Sequence, residues 1–80
     1  MTTTMYIELP SIDTVRRFVN DLAKMEGDFD LISGRYVIDA KSIMGIFSLD
    51  LSTPLQMNIT DAKEGDIEIL KKYRHQGEEH

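Results

Sequence analysis

The segment KSIMGIFSL, residues 41–49, decides how this chain is read. Lys41 and Ser42 are followed at once by Ile43, Met44, Gly45, Ile46 and Phe47. As a strand the run is poor, because Gly45 interrupts it and large side chains would stand on both faces. As one short helical turn it is coherent. Ser42 is then the N-cap, its hydroxyl accepting one of the backbone N–H groups that a helix start leaves unpaired. Ile43 falls on one side with Ile46 or Phe47, and Met44 with Phe47 on another, so a single turn cannot bury them all. Two readings follow. Either the cluster is core and Ser42 merely a cap, or part of it faces solvent as a contact surface, methionine packing adaptably against varied partners.

Outward from this turn the pattern is regular. Residues 3–9, TTMYIEL, alternate as a strand with Met5, Ile7 and Leu9 on one face, and Pro10 ends it. Ser11 then stands as a helix cap, with Asp13 in the first turn. The apolar residues Ile12, Val15, Phe18, Val19, Leu22 and Ala23 recur at helical spacing, and Gly27 is the expected stop. FDLIS (29–33) and RYVIDA (35–40) form a hairpin about the Ser33-Gly34 turn. LQMNIT (55–60) alternates as a further strand. Residues 61–75 end the pattern as a helix with Ile67, Leu70 and Tyr73 inward, acids early and bases late. The order β-α-β-β-α-β-α predicts an α+β domain over residues 1–74, three helices covering one face of a four-stranded sheet, followed by a polar tail at 75–80.

Composition narrows the function. Fourteen acidic against nine basic residues give the 80-residue chain a net charge of −5, which repels phosphate backbones and argues against direct nucleic-acid binding. Cysteine is absent and histidine occurs only at 75 and 80, so no metal-ligand spacing or thiolate site is expected, and no cofactor. No apolar run approaches the roughly 20 residues of a membrane span. The N-terminal residues lack a basic region and a long apolar stretch, so a cytoplasmic location with no membrane contact is expected.

Lys41, Ser42, Ile43, Met44 and Gly45, with Ser48 and Leu49, resemble the KSIMGVMSL segment of HPr, the histidine-containing phosphocarrier of the bacterial phosphoenolpyruvate–sugar phosphotransferase system. The resemblance implies that family's open-faced β-sandwich, βαββαβα, with a four-stranded antiparallel sheet covered on one face by three helices. It also implies that Ser42 is a regulatory phosphorylation site for a dedicated serine kinase. Lys41, Ile43, Met44 and Phe47 would bind protein partners: the kinase, a transcriptional repressor, or other phosphotransferase-system proteins. A phosphoserine at a helix start suits the chemistry, since it meets unpaired N–H groups.

The carrier chemistry is where the pattern fails. The family's nucleophilic histidine opens the first helix in a GIHARPA-type motif, with an arginine two positions on. PSIDTVRR occupies that place here, with Ser11 near the histidine position and Asp13 near the arginine position, a degenerate phosphocarrier site. No histidine precedes His75. The Asp13 carboxylate fills the positive end of the helix dipole and would repel a phosphoryl group. A serine phosphate ester lacks the transfer potential of phosphohistidine, so Ser11 suits capping and not relay. Arg16 and Arg17, one turn on, read as a solvated face. The expectation is a non-enzymatic regulatory and interaction module; a phosphocarrier component and a purely structural domain are the alternatives. The chain beyond Thr60 is shorter than the family's, so its last helix should cover less of the sheet.

Overall fold

Strand β4 (Leu55–Thr60) shows why these residues make a sheet: Leu55, Met57 and Ile59 are buried while Gln56, Asn58 and Thr60 are partly open. A period of two places the first set under the helices and the second on the opposite face. In the computed structural model, which describes residues 2–76, β4 lies between β1 (Thr2–Ile7) and β2 (Asp28–Ser33), and β3 (Tyr36–Asp39) pairs with β2. All pairings are antiparallel, in the order β1-β4-β2-β3. Gly34, at φ +60°, makes the tight β2–β3 turn in a conformation that favours glycine. The sheet's other face is largely polar. Thr4 donates to Asn58 across the β1–β4 ladder at 3.0 Å.

Helix α1 (Ile12–Ala23) covers the sheet with Val15, Phe18 and Leu22, all completely buried. Each such side chain contributes about 1.5–3 kcal/mol over an exposed one. The ends of the expected apolar stripe depart from it: Ile12 is 60% exposed and Ala23 is exposed, because both lie beyond the sheet-facing arc. The helix also ends before Gly27. Lys24 caps it, its N–H reaching the Asp21 carbonyl, and Gly27 serves instead in the crossing to β2. At φ +112° a Cβ on Gly27 would stand 2.9 Å from the Thr60 carbonyl oxygen, so the close approach of loop and β4 requires glycine there. Helix α2 (Ile43–Phe47) and helix α3 (Glu64–Leu70) complete the layer, with Ile46 and Leu70 fully buried.

Three further elements are shorter than the sequence suggests, at one end or both. β1 ends at Ile7, yet Leu9 is buried beyond it; β3 spans Tyr36–Asp39 only; the last helix begins at Glu64 and tightens into a 3₁₀ turn at Lys71–Tyr73. The chain then does not fray at residue 75. Tyr73 accepts from the Glu8 N–H at 2.8 Å, Arg74 bridges Ile7, and the His75 N–H donates to the Tyr6 carbonyl at 2.7 Å. His75 Nδ1 also meets Glu8 Oε2. These contacts extend the sheet along the outer edge of β1, so the expected tail begins later than residue 75. Its residues 77–80, His80 among them, and Met1 lie outside the described residues.

Tyr73 ties this segment to α1. Its ring packs edge-on against Phe18 at 5.1 Å between centroids, and its hydroxyl donates to Asp21 Oδ2 at 2.7 Å. Lys72 reaches the same carboxylate oxygen at 3.1 Å. The phenol's hydrogen bond, helped by Lys72 and opposed by partial burial, holds the Asp21 carboxyl below its ordinary value. Burial, reinforced by the Asp21 charge, pushes the Tyr73 phenol upward.

Tyr73→Phe should lower stability by about 1–2 kcal/mol near neutral pH, seen as a reduced urea midpoint at constant slope. Asp21 has a depressed folded value, so its contribution is complete above its ordinary value of 3.8 and fades as pH falls through the lower folded one. Tyr73 has a raised folded value, so its contribution is complete below its ordinary value of 10.0 and fades as pH rises toward the folded one. The gap between wild type and variant should therefore shrink at both extremes; a constant gap from acid to neutral pH would contradict the linkage.

Candidate functional site

The turn that holds Ser42 is set before α2 begins. Asp39 accepts from the Lys41 N–H through its carboxylate at 3.0 Å and from the Ser42 N–H through its carbonyl at 2.9 Å. Ala40 is fully buried, and its N–H donates to the Phe29 carbonyl at 2.8 Å, which anchors the turn on β2. Ser42 thus arrives in extended conformation as the N-cap. Its Oγ accepts from the Gly45 N–H at 3.1 Å, and its carbonyl accepts from Ile46 at 3.0 Å. At the other end Ser48 Oγ donates to the Gly45 carbonyl at 2.6 Å.

Orientation follows from one anchor. Ile46 is fully buried, and Gly45 lets the turn lie close to β3: a Cβ there would stand 3.2 Å from Ile38 Cδ1 and 3.2 Å from Ser42 Oγ. With Ile46 inward, Ile43 is half-buried at the margin, Phe47 is 42% exposed and Met44 is 76% exposed. The Ser42 side chain is exposed beside them. This resolves the opening ambiguity in favour of a surface cluster with a single core residue.

Lys41, the fourth residue of the expected partner-binding set, makes a contact within the fold. Its ammonium donates to the Met25 carbonyl at 2.9 Å and lies 5.5 Å from the centre of the Phe29 ring. It is directed inward across the end of α1, where a cation pairs with a carbonyl left without a helical partner. Its ammonium is therefore engaged within the fold, at Met25 and Phe29.

At the start of α1, Ser11 is the N-cap, its Oγ accepting from the Thr14 N–H at 3.1 Å and lying 2.9 Å from the Thr14 hydroxyl. Asp13 is exposed in the first turn. His75, the histidine among the described residues, is engaged by Glu8 at the end of β1. The start of α1 thus holds a hydrogen-bonded hydroxyl, with a carboxylate in the first turn. Ile12 is an exposed apolar side chain that the sequence pattern assigned to the core, and α1 packs against α2. Its position before the first buried residue of the helix was the available signal. Among the described residues no set of His, Cys, Asp and Glu gathers as metal ligands.

This architecture is that of solved HPr structures. The chain matches the crystal structure of a phosphocarrier protein HPr from Bacillus anthracis strain Ames with a TM-score of 0.72 and 24% identity, over 94% of this chain and 96% of that one. It matches HPr-C-His from Thermoanaerobacter tengcongensis with a TM-score of 0.67 and 24% identity, over 90% of this chain and 88% of that one. No family model and no curated protein matches the sequence. The α+β fold, a four-stranded antiparallel sheet with three helices, is therefore shared with HPr.

Ser42→Ala should cost about 1 kcal/mol through loss of the cap, and Ser42→Gly only a few tenths. Ile46→Ala should cost about 2–5 kcal/mol, whereas Met44→Ala should stay within about 0.5 kcal/mol. Chemical denaturation of the four variants checks this. Equal losses at positions 44 and 46 would mean that the outward face has been misassigned.

Proposed function

We propose that this chain is a divergent HPr-family protein of the phosphoenolpyruvate-dependent sugar phosphotransferase system, acting in the cytoplasm as a regulatory and interaction module and not as a phosphate carrier. The observation that carries the reading is the exposed Ser42 hydroxyl beside Met44 and Phe47 on one short turn. The fold shared with HPr and the KSIMG segment support it.

Phosphorylation at Ser42 is compatible with the local structure. The Oγ attacks the γ-phosphorus of ATP, ADP leaves, and the hydroxyl proton passes to a base of the kinase. The new group adds a charge of about −1.5 to −2, and its oxygens can accept the Gly45 N–H that the hydroxyl accepts in the unmodified chain. Since Lys41 is occupied at Met25, that charge is left for a partner to read. A protein with a basic group facing the phosphate and an apolar pocket for Met44 and Phe47 fits this surface. Half-buried Ile43 supplies its margin.

Relay chemistry lacks its parts. Ser11 is hydrogen-bonded as a cap, Asp13 places a negative charge in the first turn, and His75 is engaged by Glu8. A carrier must accept phosphate as a labile phosphoramidate, and no imidazole stands at the α1 N-cap.

A family serine kinase with ATP should add one phosphate, and Ser42→Ala should abolish it, as read by intact-mass and peptide mass spectrometry. Incubation with phosphoenolpyruvate and the first enzyme of the phosphotransferase system should leave the protein unlabelled. An acid-labile phosphate, on His75 or elsewhere, would restore the carrier role; no kinase product under conditions that label an ordinary HPr would remove the regulatory one.

A further inference from the structure

A groove of about 430 Å³ is lined by residues of α1, of the C-terminal segment and of the stretch after β1. Arg17 lines it from the helix, and Lys72 and Arg74 line it from the C-terminal segment. Three of the chain's nine lysines and arginines thus converge in a molecule of net charge −5. We propose that this groove binds a small phosphate monoester, its phosphate held between Arg17 and Arg74. The proposal is independent of the Ser42 reading.

The charges here are disposed for an external anion. Among the described residues neither Arg17 nor Arg74 has a carboxylate within ion-pair distance. One acid, Glu8, lines the groove and is engaged by His75, while Asp21 lies outside the lining and is engaged by the Tyr73 hydroxyl and Lys72. The Arg17 charge is felt at Tyr73, where it opposes the upward push of burial on the phenol. Two arginines lining one groove bring guanidinium groups whose planar pairs of N–H donors match phosphate oxygens, which a single ammonium does not.

The volume argues for more than a bare anion. It falls within the range of small-molecule sites, about 300–1,000 Å³. Thr14 and Gln76 add neutral polar groups, and Pro10 and Tyr73 add apolar walls, against which the organic part of the ester can rest. Because both arginines are exposed, binding should weaken with added salt.

The test is a titration of the full ¹⁵N-labelled chain with glycerol 3-phosphate, inorganic phosphate or sodium chloride at matched ionic strength. Glycerol 3-phosphate should give saturable amide shifts confined to residues 14–17 and 72–76, with weaker binding of inorganic phosphate and none of chloride. Arg17→Ala and Arg74→Ala should each weaken binding roughly tenfold. Arg17→Lys should fall between wild type and Arg17→Ala, and Arg16→Ala, outside the groove, should bind as wild type does. The same spectra report whether each variant is folded. Shifts that follow ionic strength alone, equal effects at Arg16 and Arg17, or no saturable shift would overturn the site; inorganic phosphate binding as tightly as the ester would overturn the ligand class.

Discussion

The burial of Ile46 is the constraint on which the exposed Met44–Phe47 surface depends. A five-residue helix has one inward position to give, and Ile46 takes it completely. Once that side chain is fixed, helical geometry leaves Met44 and Phe47 facing outward, whatever their hydrophobicity would prefer. Gly45 eases the arrangement, since a Cβ there would press on Ile38 and the Ser42 hydroxyl, each at 3.2 Å. Ser42 then completes the turn by accepting the Gly45 N–H. Apolar exposure here is a consequence of backbone geometry and is held in place by the core.

The same logic orders the two ends of α1. At its start, a hydroxyl cap and a carboxylate satisfy the helix locally. Near its end, the Lys41 ammonium crosses from the turn before α2 to the Met25 carbonyl, tying that turn to the segment that follows the long helix. Tyr73 links the C-terminal segment to that helix through Phe18 and Asp21. Loss of the Lys41 cross-link would leave the Met25 carbonyl needing a new partner, whereas Asp21 would keep Lys72.

Much of the architecture was legible in the sequence. The β4 residues Leu55, Met57 and Ile59 alternate so regularly that their strand follows directly, and Val15, Phe18 and Leu22 specify the helix face that covers it. Ser42 as a cap was also readable, because glycine and large apolar residues beside a serine admit few other structures. Long-range partners were not readable. Nothing near Lys41 in the chain indicates Met25, and nothing near His75 indicates Tyr6 and Glu8. Periodicity also overstates burial at helix ends, where Ile12 continues the apolar spacing but has passed the edge of the sheet. The arginine groove escaped for a similar reason, since its walls come from opposite ends of the chain and meet only after folding.

The two rims of the sheet are treated unequally. Along β1 the ladder is continued by Arg74 and His75, so part of that rim is already paired. β3, four residues long, ends the sheet on the other side with Tyr36 and Val37 largely open to water. Aggregation by strand addition is therefore directed toward β3, where unpaired backbone meets exposed apolar side chains. Its brevity limits how many bonds an intruding chain can make, and Arg35 and Asp39 at its ends place charges that such an aggregate would have to accommodate.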